Sequence, residues 1–189
     1  SLTISITNLL NGVDELLTFD VSGTSIIGNY DSGAGNLTLT GTDTVANYQQ
    51  VLRSVTYSNT SEAPDTNARA VTVQVSDTEA QTSPLAMTTV YINGINDTAI
   101  VTLSGGSATY NEAASAAIID DAATITDVDS PNFDGGSLTF QISTNAQAGD
   151  QLGIRNQGTS AGQIGVSGND ISYGGVTIGV LSATGQTLT

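Results

Sequence analysis

Apolar residues alternate with Ser, Thr and Gln in short runs along the first half of the chain. The runs are Leu2, Ile4, Ile6; Leu37, Leu39; Val55, Tyr57; Val71, Val73, Val75; and Val90, Ile92. A period of two sends every second side chain to one face, so each run predicts a strand with one face on a core. Clusters of Gly, Asn, Asp and Pro, such as Asn29 to Asn36 and Ser61 to Asn67, separate the runs and read as turns. Short strands punctuated this way predict an all-β chain of β-sandwich domains. One stretch breaks the rhythm. In GTDTVANYQQVLRS, Val45, Tyr48 and Leu52 fall at i, i+3 and i+7 behind Asp43 or Thr44 as N-cap, which predicts a short helix crossing from one sheet to the other. Tyr48, Tyr57 and Tyr91 occupy core-facing positions of their segments and are expected to pack.

The chain also repeats itself. SLTISI, Ser1 to Ile6, matches SLTFQI, Ser137 to Ile142, an offset of 136, and at the same offset Asp14-Glu15-Leu16 meets Asp150-Gln151-Leu152. One residue of slip then brings Ile27-Gly28 onto Ile164-Gly165. A period of that length predicts that residues 1–97 are the C-terminal part of one sandwich repeat and 98–189 the N-terminal part of the next, both partial in this chain. Missing strands leave ladder edges for flanking sequence or a partner chain to complete. Asp14 and Asp150 hold equivalent places in the repeat, which predicts a shared structural role such as turn capping.

Composition narrows the function. The 189 residues carry three Arg, no Lys and eighteen carboxylates, a net charge of −15. Such a surface repels nucleic-acid phosphates and anionic lipid, and attracts divalent cations. Without Cys there is no disulfide frame, thiolate nucleophile or zinc-thiolate site. Without His the usual general base at neutral pH is absent as well. No apolar run approaches the ~18 residues of a membrane span and no signal peptide is visible, so the chain reads as a soluble segment of a larger or processed protein.

The acids gather in loops. Asp127-Val-Asp129 puts two carboxylates on one side of an extended segment, and Asp134 follows beside Gly135 and Gly136 in a loop able to fold back towards them. A cation is the natural counter-charge for such a group, since calcium takes six to eight oxygens at ~2.3–2.6 Å. The loop is not an EF-hand, because Asn132 stands at the sixth position and Leu138 at the twelfth. Capping of an Asx-turn by Asp127 and Asp129 is the structural alternative. Asn-x-Ser/Thr triplets at Asn36, Asn59 and Asn96 arise readily in so Thr-rich a chain and are assigned no glycan.

Asn96-Asp97 at a junction, followed some thirty residues later by Asp127-x-Asp129, resembles the cadherin pattern of an Asn-Asp linker and an Asp-x-Asp loop sharing calcium between domains. Leu37 to Asp77 resembles the cadherin-like repeats of large bacterial surface adhesins and the related repeats of chondroitin sulfate proteoglycans. Asn111 to Ser130 is similar to the opening of another such repeat. The resemblance implies tandem cadherin-like or Ig-like sandwiches with Asn96 and Asp97 as linker ligands, Asp127 and Asp129 as loop ligands and Asp134 as a nearby contributor. It implies Glu62 or Asp65 as the acid from the preceding domain. Glu112 would serve the next junction downstream, and Asp77 with Glu79 would face the preceding one; a solvated surface acid is the alternative for each of these three. The linker is sparser than a full cadherin linker and the Asp-Arg-Glu triplet is absent, which implies one ion rather than three.

The expected function is an extracellular structural or adhesive repeat of a surface or biofilm protein, stiffened by calcium, whose partners are neighbouring repeats and cell-surface or matrix ligands. A filament subunit completed by strand addition between chains is the alternative. A sugar-binding or glycoside-hydrolysing module using Asp127 with Asp150 fits least, with no Trp, six Tyr and three Phe and no nucleophile-plus-base pair.

Overall fold

The computed structural model describes residues 1–184 and 187–189. The protein is all-β with one short helix. It divides into two compact units, Ser1–Pro131 and Asn132–Thr189. Strands on both sides of the repeat boundary expected at 97/98 therefore lie in the first unit. Among the described residues no helix is long and apolar enough to cross a membrane.

In the first unit, β1 (Leu2–Ile6), β3 (Ile27–Asp31), β4 (Asn36–Thr40), β6 (Arg69–Val75) and β7 (Ala86–Val90) form an antiparallel sheet in the order β3-β4-β1-β6-β7. β2 (Glu15–Thr18) and β5 (Thr56–Asn59) pair separately. β1 is the centre, with Leu2 opposite Leu39 on one side and Val75 on the other, and Ile4 opposite Leu37 and Val73. The expected alternation sets this register, because a slip of one residue would turn Leu2, Ile4 and Ile6 out to water. Those three residues, with Leu37, Leu39 and Val71, meet Leu17 of β2, Ile26 and Val51 in one buried cluster. This two-layer packing removes the apolar face of each element from water, at about 1.5–3 kcal/mol for each fully buried aliphatic side chain.

Helix α1 (Val45–Ser54) carries the chain from β4 in the large sheet to β5 in the small one. Thr44 is its N-cap, its hydroxyl accepting the Asn47 N–H at 3.2 Å. Asp43, the other expected cap, instead ties the helix start to the preceding loop by accepting the Ser25 N–H at 2.6 Å and the Asn47 Nδ2 at 2.6 Å. Backbone donors, the Ser25 N–H first and the Thr44 N–H, at 2.7 Å, next, hold its carboxyl below the usual carboxylate value. Val51 is fully buried, and Tyr48, Leu52 and Tyr57 pack around the same core.

Tyr91 is a correction. It is 80% exposed, because β7 ends at Val90 and Val90 is the residue that packs on the core. Ile92, expected to continue that strand, lies beyond its end. The last strands of the first unit are β8 (Ile100–Thr102) and β9 (Thr124–Thr126), an antiparallel pair with Val101 opposite Ile125. Asp120 closes the connection between them, accepting the Ser104 N–H at 2.7 Å, the Ser104 hydroxyl at 2.9 Å and the Ala122 N–H at 2.9 Å.

The second unit holds two small sheets. β11 (Ile164–Ser167), β12 (Asp170–Tyr173) and β13 (Val176–Val180) form a meander, and β10 (Phe140–Gln141) pairs with β15 (Thr187–Leu188), which pairs with β14 (Ala183–Thr184). Its described buried apolar residues are Ile171 and Leu188.

The sequence repeat has local counterparts in the two units. The Asp14 N–H donates to the Asn11 carbonyl at 3.3 Å and the Asp150 N–H to the Gln147 carbonyl at 3.0 Å, the same turn at equivalent positions. Asp150 also accepts the Gln147 N–H at 2.8 Å, whereas the Asp14 carboxylate faces the Thr60 hydroxyl at 3.3 Å. Ile27 and Ile164 each open a strand. The glycines after them share a need for a missing side chain. A Cβ on Gly28 would run into the Phe19 ring, and one on Gly165 would lie 2.5 Å from the Ser172 hydroxyl and 3.0 Å from the Gly158 carbonyl. The first element of the repeat differs, since β1 has five residues and β10 two.

Candidate functional site

The loop between β5 and β6, Thr60 to Ala68, and the segment after β7, Gly94 to Asp97, come together in the first unit. A Cβ on Gly94 would lie 3.6 Å from the Thr66 methyl, so the loop stands beside the linker. Glu62 lines an open cleft of about 480 Å³ with Asp97, Ile100, Asp127 and Val128. Ala63, Pro64 and Thr66 line a second cleft of about 340 Å³ with Ile95, Asn96 and Asp129. Three segments far apart in sequence thus bring Glu62, Asp97 and Asp127 to one cleft, and no cationic residue is among its described lining.

Hydrogen bonds order the acids of this region. Asp129 Oδ2 accepts the Asp97 N–H at 3.0 Å, which ties the linker to the β9 loop. Asp127 Oδ1 accepts the Ser130 N–H at 2.9 Å and the Asp129 N–H at 3.3 Å, an Asx-turn that leaves Oδ2 outside these bonds. Desolvation is the largest influence on Asp127 and opposes ionisation, but the donors from Ser130 and Asp129 together outweigh it and its carboxyl lies below the usual value. The Asn96 side-chain amide donates to the Asp97 carbonyl at 2.6 Å.

The remaining expected ligands lie elsewhere. Asp65 is half-buried, with Oδ1 accepting the Asn67 N–H at 2.8 Å and standing 3.8 Å from Arg69 Nη1. Asp77 caps the β6–β7 connection by accepting the Glu79 N–H at 3.1 Å and the Gln81 N–H at 2.8 Å. Glu112 is exposed beside a turn in which the Ala114 N–H donates to the Asn111 carbonyl at 3.0 Å. Asp134, in the second unit, is exposed, and its N–H donates to Asn132 Oδ1 at 3.2 Å. Among the described residues no three carboxylates are close enough to form a metal-holding group. The acidic cleft supplies hard oxygen donors of the kind calcium takes.

Sequence reasoning missed the polar centre beneath the loop. Glu15 and Arg69 are both 0% exposed and form an ion pair, Arg69 Nε lying 3.0 Å from Oε1 and 2.9 Å from Oε2 of Glu15. The Asn11 N–H donates to Glu15 Oε1 at 2.6 Å and the Tyr57 hydroxyl to Oε2 at 3.0 Å, and Arg69 Nη1 donates to the Asn67 carbonyl. Desolvation pushes the Glu15 carboxyl up; Arg69, Asn11 and Tyr57 together more than reverse it and leave the group below its ordinary value. A buried charge is tolerable only with this degree of satisfaction. A signal was present in the sequence. Arg69 is in phase with inward-facing Val71 and Val73, and Glu15 with Leu17, so two unlike charges sit on core-facing positions of their strands.

No family model, curated protein or solved structure matches the chain.

Proposed function

We propose that this chain is an extracellular structural or adhesive repeat module of a larger surface or matrix protein, in which calcium stiffens the junction around Asn96 and Asp97. The observation that supports this reading is the cleft shared by Glu62, Asp97 and Asp127, three acids drawn from a loop, a linker and a strand end. Bringing them together without a counter-ion costs repulsion, and a cation that binds only the ordered junction stabilises it by linkage. The resemblance of Leu37 to Asp77 and of the Asn-Asp linker to cadherin-like repeats points the same way. The role is architectural rather than catalytic, in keeping with a sequence that has neither His nor Cys.

Calcium titration by calorimetry, followed through thermal unfolding, tests the proposal on the parent chain and on Glu62→Gln with Asp127→Asn. Both substitutions keep side-chain size and an oxygen acceptor while removing charge. The expected result is a rise in melting temperature with calcium that the double variant loses; at a hundredfold excess over Kd the linkage is about 2.7 kcal/mol. No heat at millimolar calcium and a melting temperature indifferent to chelator would refute it.

Assembly of a filament by strand addition is the second reading. β13 favours it, since it ends its sheet and Val176, Ile178 and Val180 are 69%, 62% and 71% exposed on an uncharged edge strand. Concentration-dependent sedimentation of the parent chain, abolished by Ile178→Lys, is the result this reading requires.

A further inference from the structure

Two asparagines in this chain are followed by glycine, Asn11 before Gly12 and Asn93 before Gly94, and the fold treats the two pairs in opposite ways. Asparagine is among the chemically labile residues of proteins. Its weak point is the side-chain Cγ, which the next backbone nitrogen can attack, and a following glycine has no side chain to hinder the approach. Attack requires that nitrogen to swing round beside Cγ. A pair therefore reacts where backbone and side chain are free to take up the attacking geometry, and stays intact where they are fixed in another.

Asn11-Gly12 is fixed in another. A ψ of 12° at Asn11 sets the Gly12 nitrogen almost eclipsed with the nitrogen of Asn11 itself, turned away from Cβ and Cγ about the Cα–C bond. Asn11 Oδ1 accepts Arg69 Nη2 at 2.6 Å, Asn59 Nδ2 at 3.0 Å and the backbone N–H of Asp65 at 3.1 Å, and the Asn11 N–H donates to buried Glu15. Turning either the backbone or the side chain strips partners from groups beside a desolvated ion pair. Asn93-Gly94 has none of these restraints. It lies past the end of β7 at Val90, both of its residues are exposed, and among the described residues no hydrogen bond engages either one.

We propose that Asn93-Gly94 is a spontaneous modification site, at which the folded chain ages by deamidation while the fold protects Asn11-Gly12. The Gly94 N–H gives its proton to solvent as its nitrogen bonds to Asn93 Cγ. The side-chain amide nitrogen takes up a proton and leaves as ammonia, and a five-membered succinimide remains. Water then adds to one ring carbonyl and breaks that carbon's bond to the ring nitrogen. Opening at Cγ gives aspartate, and opening at the backbone carbonyl gives isoaspartate. The sum is asparagine plus water to a carboxylate plus ammonia, with no oxidant or reductant. Either product adds a negative charge, shortly before Asn96 and Asp97, to a chain already at −15. Isoaspartate also routes the main chain through Cβ and Cγ, which lengthens the connection between β7 and β8 by one carbon. Nothing in this step requires a metal ion.

The test is incubation of the full chain in mildly alkaline buffer, folded and in urea, followed by tryptic mapping with mass spectrometry. Cleavage after Arg53, Arg69 and Arg155 puts Asn11 on peptide 1–53 and Asn93 on peptide 70–155. Exchange of NH2 for OH raises the mass of the modified peptide, and fragmentation locates the change. In the folded chain Asn93 is expected to convert about tenfold faster than Asn11 or more, and in urea the two should convert at similar rates. Gly94→Ala should slow conversion at Asn93 about tenfold by restricting the backbone. The variant fits the fold, because its Cβ would stand in ordinary contact 3.6 Å from the Thr66 methyl and Gly94 is not among the positive-φ glycines. Equal conversion of Asn11 and Asn93 in the folded chain would overturn the proposal. So would an Asn93 that stays intact in the folded chain but converts in urea, or a Gly94→Ala chain that converts at the parent rate.

Discussion

The strands β1 to β7 and the second unit come from sequence of the same kind, yet one has a core and the other barely does. In the first, nine apolar residues are buried together between a five-stranded sheet, a two-stranded sheet and a helix. In the second, whose described buried apolar residues are Ile171 and Leu188, Val176, Ile178, Val180, Phe140 and Leu138 are all exposed. The difference lies in the opposing layer. An alternating strand supplies only half of a core, and the other half must come from elements that cross over, as β2, α1 and β5 do in the first unit. Period-two patterning thus specifies which face is to be buried, while burial itself depends on what is laid against that face.

The sharpest test of the cored region is its buried ion pair. Arg69→Ala should destabilise the first unit by about 3–5 kcal/mol, since it strands a desolvated carboxylate. Replacing both partners with apolar residues, Glu15→Leu with Arg69→Met, should cost far less; denaturant midpoints of the single and double variants decide this. An equal loss in both would mean that the pair contributes by packing rather than by mutual compensation. Acid probes the same pair. Because Glu15 is depressed in the folded state, its contribution is complete above the unfolded value near 4.5 and is lost as pH falls through the lower folded value. Glu15→Gln should therefore flatten the loss of stability below that value in melting curves taken across the acid range.

Leu37→Ala and Ile178→Ala set the two regions side by side. Leu37 is fully buried and its truncation should cost about 2–5 kcal/mol. Ile178 is exposed, and the same change should stay within about 0.5 kcal/mol in urea titration. A large effect at Ile178 would place a partner against β13 in solution.

Smaller effects refine the contrast within the first unit. Thr44→Ala should lower stability by about 1 kcal/mol through loss of the helix cap, read from the thermal midpoint. Asp120→Ala should leave the global midpoint almost unchanged and quicken exchange of the Ser104 and Ala122 amides, because its bonds close a local connection on the exposed β8 and β9 pair. Its carboxyl is held low first by the Ala122 N–H and then by Ser104, all near neighbours in that connection.

Much of this fold was legible before any coordinates. Alternation puts Leu2, Ile4, Ile6, Leu37, Leu39 and Val71 on inward faces and they are buried, and the i, i+3 and i+7 spacing behind Asp43 or Thr44 predicts a short helix, which spans Val45–Ser54 with Thr44 as its cap. The turns at Asp14 and Asp150 correspond at the repeat offset, and the strand starts at Ile27 and Ile164 correspond after one residue of slip. The candidate site was half legible. Asp127 and Asp129 showed as a carboxylate pair, and their Asx-turn follows from the short reach of an Asp side chain to the next backbone donors. Tyr91, expected to pack, is out of phase with Val90 and Ile92, so the same alternation turns it to the outer face, where it is exposed.

The chain's own order of residues determined its local states, because period, caps and turn residues act over a few neighbours. Tertiary structure decided the rest. Only folding brings Glu15 to Arg69 across 54 positions, or Glu62 to Asp97 and Asp127, and no local pattern states which distant partner a charge will meet. Register and layer packing choose those partners, since the free energy of a buried charge or a shared cleft belongs to the assembled set of groups and not to any one of them.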